Sequence, residues 1–267
     1  MLIDFHTHIF PDALAARTLQ KLSAIAQCAY HTDGTVAGTL QKFDEWGTDY
    51  GVVLHIATRP GQEGTINRFA KQIQEEHPKL LCFGTVFPDS ENAVEAVWQI
   101  KELGLYGIKL HPAYQHCFIR EEKYFPLYEA AAEAGLPITM HAGWDPVEPK
   151  VVYSPPEDIA FVARSFPNLT IIAAHMGGLM LYQEAEEHLC GLPNVYLDTA
   201  MSSVYCGPAQ YERLIRNHGA DRVLFGTDCP WNTVPAEKAF LEATTLSRQE
   251  KDKILYQNAR ALLHLPG

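Results

Sequence analysis

No stretch of this 267-residue chain approaches the ~18 consecutive apolar residues that would cross a bilayer. Its first residues lack the basic segment and apolar run of a secretory leader. Its six cysteines, Cys28, Cys82, Cys117, Cys190, Cys206 and Cys229, form no C-x-x-C pair and no framework spacing. These absences read as a cytoplasmic protein with reduced cysteines and no membrane partner. Positive charge is scarce: 21 Lys and Arg stand against 32 Asp and Glu, for a formal net charge of −11. No basic stripe is left to neutralise phosphates, which excludes nucleic acid as a partner. There is no G-x-G-x-x-G and no P-loop, which removes the usual dinucleotide and nucleotide cradles.

What is present is a monotonous alternation. Strand-like runs occupy Leu2–His8, Tyr50–Ala57, Leu80–Phe87, Tyr106–His111, Pro137–Ala142, Leu169–His175, Val195–Thr199 and Val223–Asp228. Most are almost continuously apolar, as parallel strands covered on both faces must be. The longer segments between them carry helical spacing. In Asn92–Leu103 the residues Ala93, Val97, Ile100 and Leu103 share a stripe, and Gly104 stops it. Glu121–Ala134 ends at Gly135 in the same way. Ser154-Pro155-Pro156-Glu157 reads as a helix opening with serine as cap, Asn217-His218-Gly219 closes a later helix, and Arg248–Leu263 supplies the last. Eight such pairs predict a single-domain TIM (β/α)8 barrel over residues 1–267, with its chemistry at the C-terminal ends of the strands. Trp144–Pro156 is then a long loop placed to cover the site.

Histidine and aspartate collect at those strand ends. His6 and His8, two apart on one strand, face the same way and can reach one ion. His141 and Asp228 each close their own strand at the same rim. Imidazole plus carboxylate suits one divalent ion, Zn²⁺ first, with Mn²⁺, Fe²⁺ or Co²⁺ as alternatives. Around this set, Arg59, His55, His111, Tyr114, Trp144, Tyr205 and Trp231 lie at or just past strand ends. They outline an aromatic-walled pocket with cationic anchors, suited to a small planar or carboxylated substrate. His31, His77, His188, His218 and His264 fall on helices or their ends and read as structural or exposed. His116 follows the fourth strand with its role open.

The ordered motifs His6-Thr7-His8-Ile9-Phe10-Pro11, Gly107-Ile108-Lys109-Leu110-His111-Pro112, His141-Ala142-Gly143, Ala174-His175-Met176-Gly177-Gly178 and Gly226-Thr227-Asp228-Cys229-Pro230-Trp231 resemble the amidohydrolase superfamily. The nearer resemblance is to its amidohydrolase-2 branch, which includes aminocarboxymuconate-semialdehyde decarboxylase-like proteins. It extends over essentially the whole chain, to Asn258-Ala259 in the last helix. It implies that His6, His8, His141 and Asp228 bind the ion. It implies that Asp228 also moves a proton and that His175 acts on substrate or on the water that the ion activates. In binuclear members a lysine at the end of the fourth strand is carbamylated and bridges two metals. Lys109 occupies that place. In the nearer branch one metal is usual, so one ion is expected, with Lys109 an ammonium that holds a substrate carboxylate. A second metal with carbamylated Lys109 is the alternative. The superfamily's commonest chemistry makes a hydrolase of a small amide, ester or lactone the expected activity. A non-oxidative decarboxylase of a small unsaturated or aromatic acid is the alternative. The resemblance also implies a possible homodimer.

Overall fold

The structure is a computed structural model that describes residues 1–266. Its eight strands are β1 (Ile3–Thr7), β2 (Tyr50–Leu54), β3 (Leu80–Thr85), β4 (Ile108–Leu110), β5 (Ile138–Met140), β6 (Ile171–Ala173), β7 (Val195–Asp198) and β8 (Val223–Leu224). They pair in parallel and in sequence order around one sheet. The ends of that sheet meet. Phe5 N donates to Phe225 O at 2.7 Å, His8 N to Cys229 O at 2.6 Å, and a parallel bridge joins Thr7 and Cys229. Helices fill the connections, and the result is the TIM (β/α)8 barrel that the alternation predicts. Among the described residues no helix is long and apolar enough to cross a membrane.

Two apolar clusters follow from the continuous apolar strands. One gathers Ile3, Phe5, Val52, Leu54, Leu81, Phe83, Ile172 and Leu224 with Ala259 and Leu263 of the last helical run. Within it Phe5 meets Phe83 edge to face at 5.7 Å, a geometry that contributes ~0.5–1.5 kcal/mol beyond burial. The other packs Ile108, Leu110, Ile138, Met140, Val195, Leu197 and Phe225 against the surrounding helices. In these mainly apolar runs the polar residues gather toward the C-terminal ends, with Asp4 and Thr139 as buried exceptions, and those ends form the mouth.

The predicted helices appear at their places with local differences. Ala93–Glu102 has Asn92 before it and Leu103 after it. Glu121–Ala134 splits into a 3-10 turn, Glu122–Tyr124, and a helix, Phe125–Ala134, with Pro126 in its first turn. The last helical run carries a π-type turn, Lys253–Gln257, between Arg248–Asp252 and Asn258–Leu262. Asn258 then ties it to the barrel, its amide donating to Ala220 O and Val223 O, both at 2.8 Å. Ser154 is not a cap. Its hydroxyl donates to His141 O at 2.6 Å, and the helix Pro156–Ser165 starts after Pro155 with Glu157 and Asp158 in its first turn.

Candidate metal centre and its pocket

The mouth is built from local backbone exceptions. The β1–β2 register shifts by one residue between Asp4 and Thr7, a bulge of the kind that re-aims side chains. It lets Phe5 join the apolar cluster while His6 and His8 look into the mouth. Beyond β8, Asp228 takes a left-handed conformation (φ 68°), and so does His175 beyond β6 (φ 58°). Such a residue costs of order 1 kcal/mol and needs surroundings that over-determine it. They do: Asp228 N donates to His6 O at 2.9 Å, and His175 N donates to Asp198 Oδ1 at 2.8 Å. Asp4, fully buried, accepts from His6 N, Thr227 N and Thr227 Oγ1, which clamps β1 to the segment before Asp228.

Five side chains converge. Asp228 Oδ1 lies 3.0 Å from His8 Nε2 and 3.3 Å from His6 Nε2, and His175 Nε2 lies 3.1 Å from His141 Nδ1. His6, His175 and Asp228 offer donor atoms all within 4.8 Å of one another. The opposite nitrogen of each ring faces an acceptor. His6 Nδ1 bonds Asp198 Oδ2 at 2.8 Å, His8 Nδ1 bonds Leu54 O at 2.9 Å, His175 Nδ1 bonds Ala200 O at 3.2 Å and His141 Nε2 bonds Trp144 O at 3.1 Å. Carbonyls and carboxylates accept, so those nitrogens carry the protons. Every nitrogen turned toward the centre is then a bare lone pair.

Lone pairs and a carboxylate oxygen 3.0–3.3 Å apart repel unless a positive charge lies among them. Two donors each ~2.0–2.2 Å from one ion and ~90–110° apart lie ~3.0–3.4 Å from each other. The residues therefore fit a divalent ion, and the outer hydrogen bonds are those that normally orient metal-bound imidazoles. Burial favours the neutral, ligating form of three of the rings. It lowers the pKa of His8 and His141, and brings that of His175 down to about 3, with His141 adding to the effect.

A second group, His111, His141 and Asp145, also brings three donor atoms within 4.8 Å. It fails the same test. His141 Nε2 is already committed to Trp144 O, and among the described residues the buried His111 Nδ1 has no partner to orient the ring. Asp145 Oδ2 lies 3.6 Å from both rings, beyond hydrogen-bond range. His111 instead stacks between Tyr114 (3.7 Å) and His141 (4.4 Å).

The centre opens on a cavity of about 950 Å³. His55, His111, Tyr114, Tyr205 and Trp231 line it, as does Lys109. Lys109 is fully buried, and among the described residues its Nζ has no hydrogen-bond partner. Burial lowers its pKa to about 8, the charges of Asp198, Asp228 and Asp145 opposing. Arg59 and Trp144 lie outside the lining. Gln62 Oε1 accepts from the backbone of Thr58 and Arg59 and holds that turn with Arg59 in solvent. Trp144 turns its indole N–H back to Pro149 O within its own loop. Gly143 explains how the loop reaches that position. At φ 87° it bridges Leu179, and a Cβ there would overlap the Leu179 backbone.

Sequence reasoning missed Asp198, although it ends β7 as Asp228 follows β8: a carboxylate closing an apolar run. It also missed Asp145 and the first helix, whose residues line the cavity from a distance in sequence that no strand-end pattern reveals.

A family model described as amidohydrolase matches residues 3–265. Among proteins of curated function none matches the chain. Among solved structures, an uncharacterized TIM-barrel protein from Bordetella bronchiseptica superposes with a TM-score of 0.82 at 22% identity, covering 98% of each chain. 5-Carboxyvanillate decarboxylase from Sphingomonas paucimobilis gives 0.71 at 15% identity over 99% of each chain. Dihydroxybenzoic acid decarboxylase from Polaromonas sp. JS666, solved with manganese and 2-nitroresorcinol, gives 0.74 at 17% identity, covering 99% of this chain and 97% of that one. At these identities the likeness is one of fold.

Proposed function

The chain belongs to the amidohydrolase family, and from that premise we propose that it is a metal-dependent, non-oxidative decarboxylase of a small aromatic or unsaturated carboxylic acid. The observation that carries this is Lys109, a buried amine without a hydrogen-bond partner among the described residues, on the same cavity as the His/Asp centre. A buried ammonium is costly unless an anion meets it, and an acid substrate supplies that anion. The stacked His111 and Tyr114 and the side chains of Phe69 and Trp231 offer flat, mainly apolar walls for a ring. The decarboxylases of like fold support the same choice. Hydrolysis, the activity expected from sequence, uses the same centre but leaves Lys109 without a partner unless its substrate is also an acid.

His6, His8, His141 and Asp228 would hold one divalent ion, zinc or manganese, and His175 lies against it. When bound, such an ion polarises substrate oxygens and stabilises negative charge that develops on them. Lys109 fixes the carboxylate, and the aromatic walls hold the ring. Asp228 takes the proton of a neighbouring hydroxyl and delivers it to the carbon that bears the carboxylate. The C–COO⁻ bond breaks, its electron pair returns to the ring, and CO₂ leaves. One solvent proton restores the hydroxyl, so each turnover consumes one proton. His175 donates to substrate oxygen only if it gains a proton that its burial disfavours, so its part is to orient.

The test is a panel of hydroxylated benzoates and conjugated acids offered to enzyme reconstituted with Mn²⁺ or Zn²⁺. At least one acid should release CO₂ in a metal-dependent way. Turnover of lactones or esters with no CO₂ from any acid would overturn the proposal.

A further inference from the structure

Two neighbouring loops supply aromatic side chains to the cavity. Beyond β7 the chain passes through Met201, at φ 61°, into a single helical turn, Ser202–Tyr205, and Met201 and Tyr205 line the cavity. Beyond β8 it passes through Asp228 to Trp231, which also lines the cavity and whose N donates to Asp228 O at 2.8 Å. Loops of this kind have no ladder to fix them, so side chains must do it.

Glu237 does so from behind. It sits in the first turn of the helix Val234–Glu242, is fully buried and is not part of the cavity lining. Three donors meet its Oε1: Asn232 Nδ2 at 2.7 Å, Ser203 Oγ at 2.9 Å and Ser203 N at 3.1 Å. Asn232 Nδ2 also donates to Ser203 Oγ at 2.9 Å, so the three side chains close a triangle. Ser203 N lies in the first turn of a helix, where a backbone donor has no partner within the helix. Asn232 follows Trp231 directly, and Ser203 precedes Tyr205 by two residues. One oxygen thus holds both loops next to their aromatic side chains. An apolar residue would fill the same space without the cost of burying a carboxyl. What the carboxyl adds is direction.

We propose that Glu237 is a positioning residue for the substrate cavity: by tying Ser203 and Asn232 to one atom it fixes the placement of Tyr205 and Trp231, and so sets the affinity for a flat acid that it never touches. The flat acid rests on the decarboxylase reading above, whereas the coupling of the loops does not. The metal centre is anchored separately. Asp228 N donates to His6 O at 2.9 Å, and Asp4 accepts from Thr227 N and Oγ1. Loss of Glu237 should therefore reach the cavity walls and spare the ion.

Metal-loaded wild type, Glu237→Met and Glu237→Gln are titrated calorimetrically with 2-naphthoate, and Mn²⁺ affinity is read by competition with a chelator. Methionine keeps the length of the side chain and removes the acceptor. It should weaken 2-naphthoate roughly 10-fold or more, with Mn²⁺ affinity within about twofold of wild type. Glutamine keeps an oxygen for the three donors and should restore 2-naphthoate binding to within about threefold. Glu237→Met is also made in a Tyr205→Leu/Trp231→Leu background, where it should cause no further loss, because the side chains it misplaces are gone. A general loss of stability would not produce that non-additivity. Asn232→Ala removes one donor of the triangle. It should show the same split at smaller size, and it carries the test if Glu237→Met does not fold. Unchanged 2-naphthoate affinity, an equal loss of Mn²⁺ affinity, or a loss that persists in full in the leucine background would overturn this inference alone. No binding of 2-naphthoate by wild type would overturn it together with the acid-substrate reading beneath it.

Discussion

Asp198→Asn is the sharpest single perturbation of the metal centre, because it changes one atom and should reverse one proton. Asp198 is fully buried. Its Oδ1 accepts from His175 N at 2.8 Å and Ala200 N at 3.1 Å, and its Oδ2 meets His6 Nδ1 at 2.8 Å. Asparagine can keep the first two bonds through its oxygen. Its amide N–H groups then face His6 Nδ1, where only a proton acceptor is welcome. Either the ring keeps its Nδ1 proton and two donors collide, or it shifts the proton to Nε2 and loses the lone pair that points at Asp228. A charge-assisted hydrogen bond of this kind is worth about 1.5–3 kcal/mol, which corresponds to roughly 10- to 150-fold in affinity. Losing the hydrogen-bond partner that orients a metal-binding histidine typically costs ~10–100-fold. The assay is competition for Mn²⁺ or Zn²⁺ against a chromophoric chelator at pH 7.5, with the melting curve of the metal-free protein as control. A dissociation constant within twofold of wild type would refute the reasoning, since Nε2 of His6 would then not be a ligand.

Three further outcomes follow from buried groups. Burial raises the Glu237 carboxyl, which accepts from Ser203 and Asn232, from 4.5 to about 8. The unfolded chain loses this proton first, so stability falls as pH rises from 4.5 through 8, by up to about 5 kcal/mol at ~1.36 kcal/mol per pKa unit. Glu237→Gln should remove that slope, seen as urea midpoints at pH 5 and 8.5 that differ less than in wild type. Lys109 is charged in both states below pH 8, and its descent from 10.5 to about 8 means that folding then costs about 3 kcal/mol. Stability should recover between pH 8 and 10.5, Lys109→Met should be the more stable protein at pH 7, and its affinity for acids should drop. Gly143→Ala should lose at least about 2 kcal/mol, or roughly 5 °C in melting temperature, because alanine resists φ 87° and meets the Leu179 backbone.

The barrel and the clustering of histidine and aspartate at its strand ends were legible because both depend on residue type and local spacing. A parallel strand buried on both faces must be continuously apolar, so all eight were visible as runs. Histidine and aspartate at their ends stand out against that background. What depends on loop path was not legible. Arg59 and Trp144 are close in sequence to strand ends, but Gln62 and Pro149 turn them away from the cavity. Ser154 has the chemistry of a helix cap, and the carbonyl of His141 claims it first. The cavity wall on the first helix, Asp12–Ala26, is written in a helical stripe that also reads as an ordinary surface. Only the placement of that helix over the mouth distinguishes the two.

Isotope fate separates the two chemistries that the centre supports most directly. Turnover of an active acid is run in D₂O and, in parallel, in H₂¹⁸O, with products read by mass spectrometry and NMR. Decarboxylation predicts one deuterium on the carbon that carried the carboxylate, one CO₂ per product and no ¹⁸O bound to the organic product. A product that carries ¹⁸O, without CO₂ and without carbon-bound deuterium, would contradict the account and return the enzyme to hydrolysis.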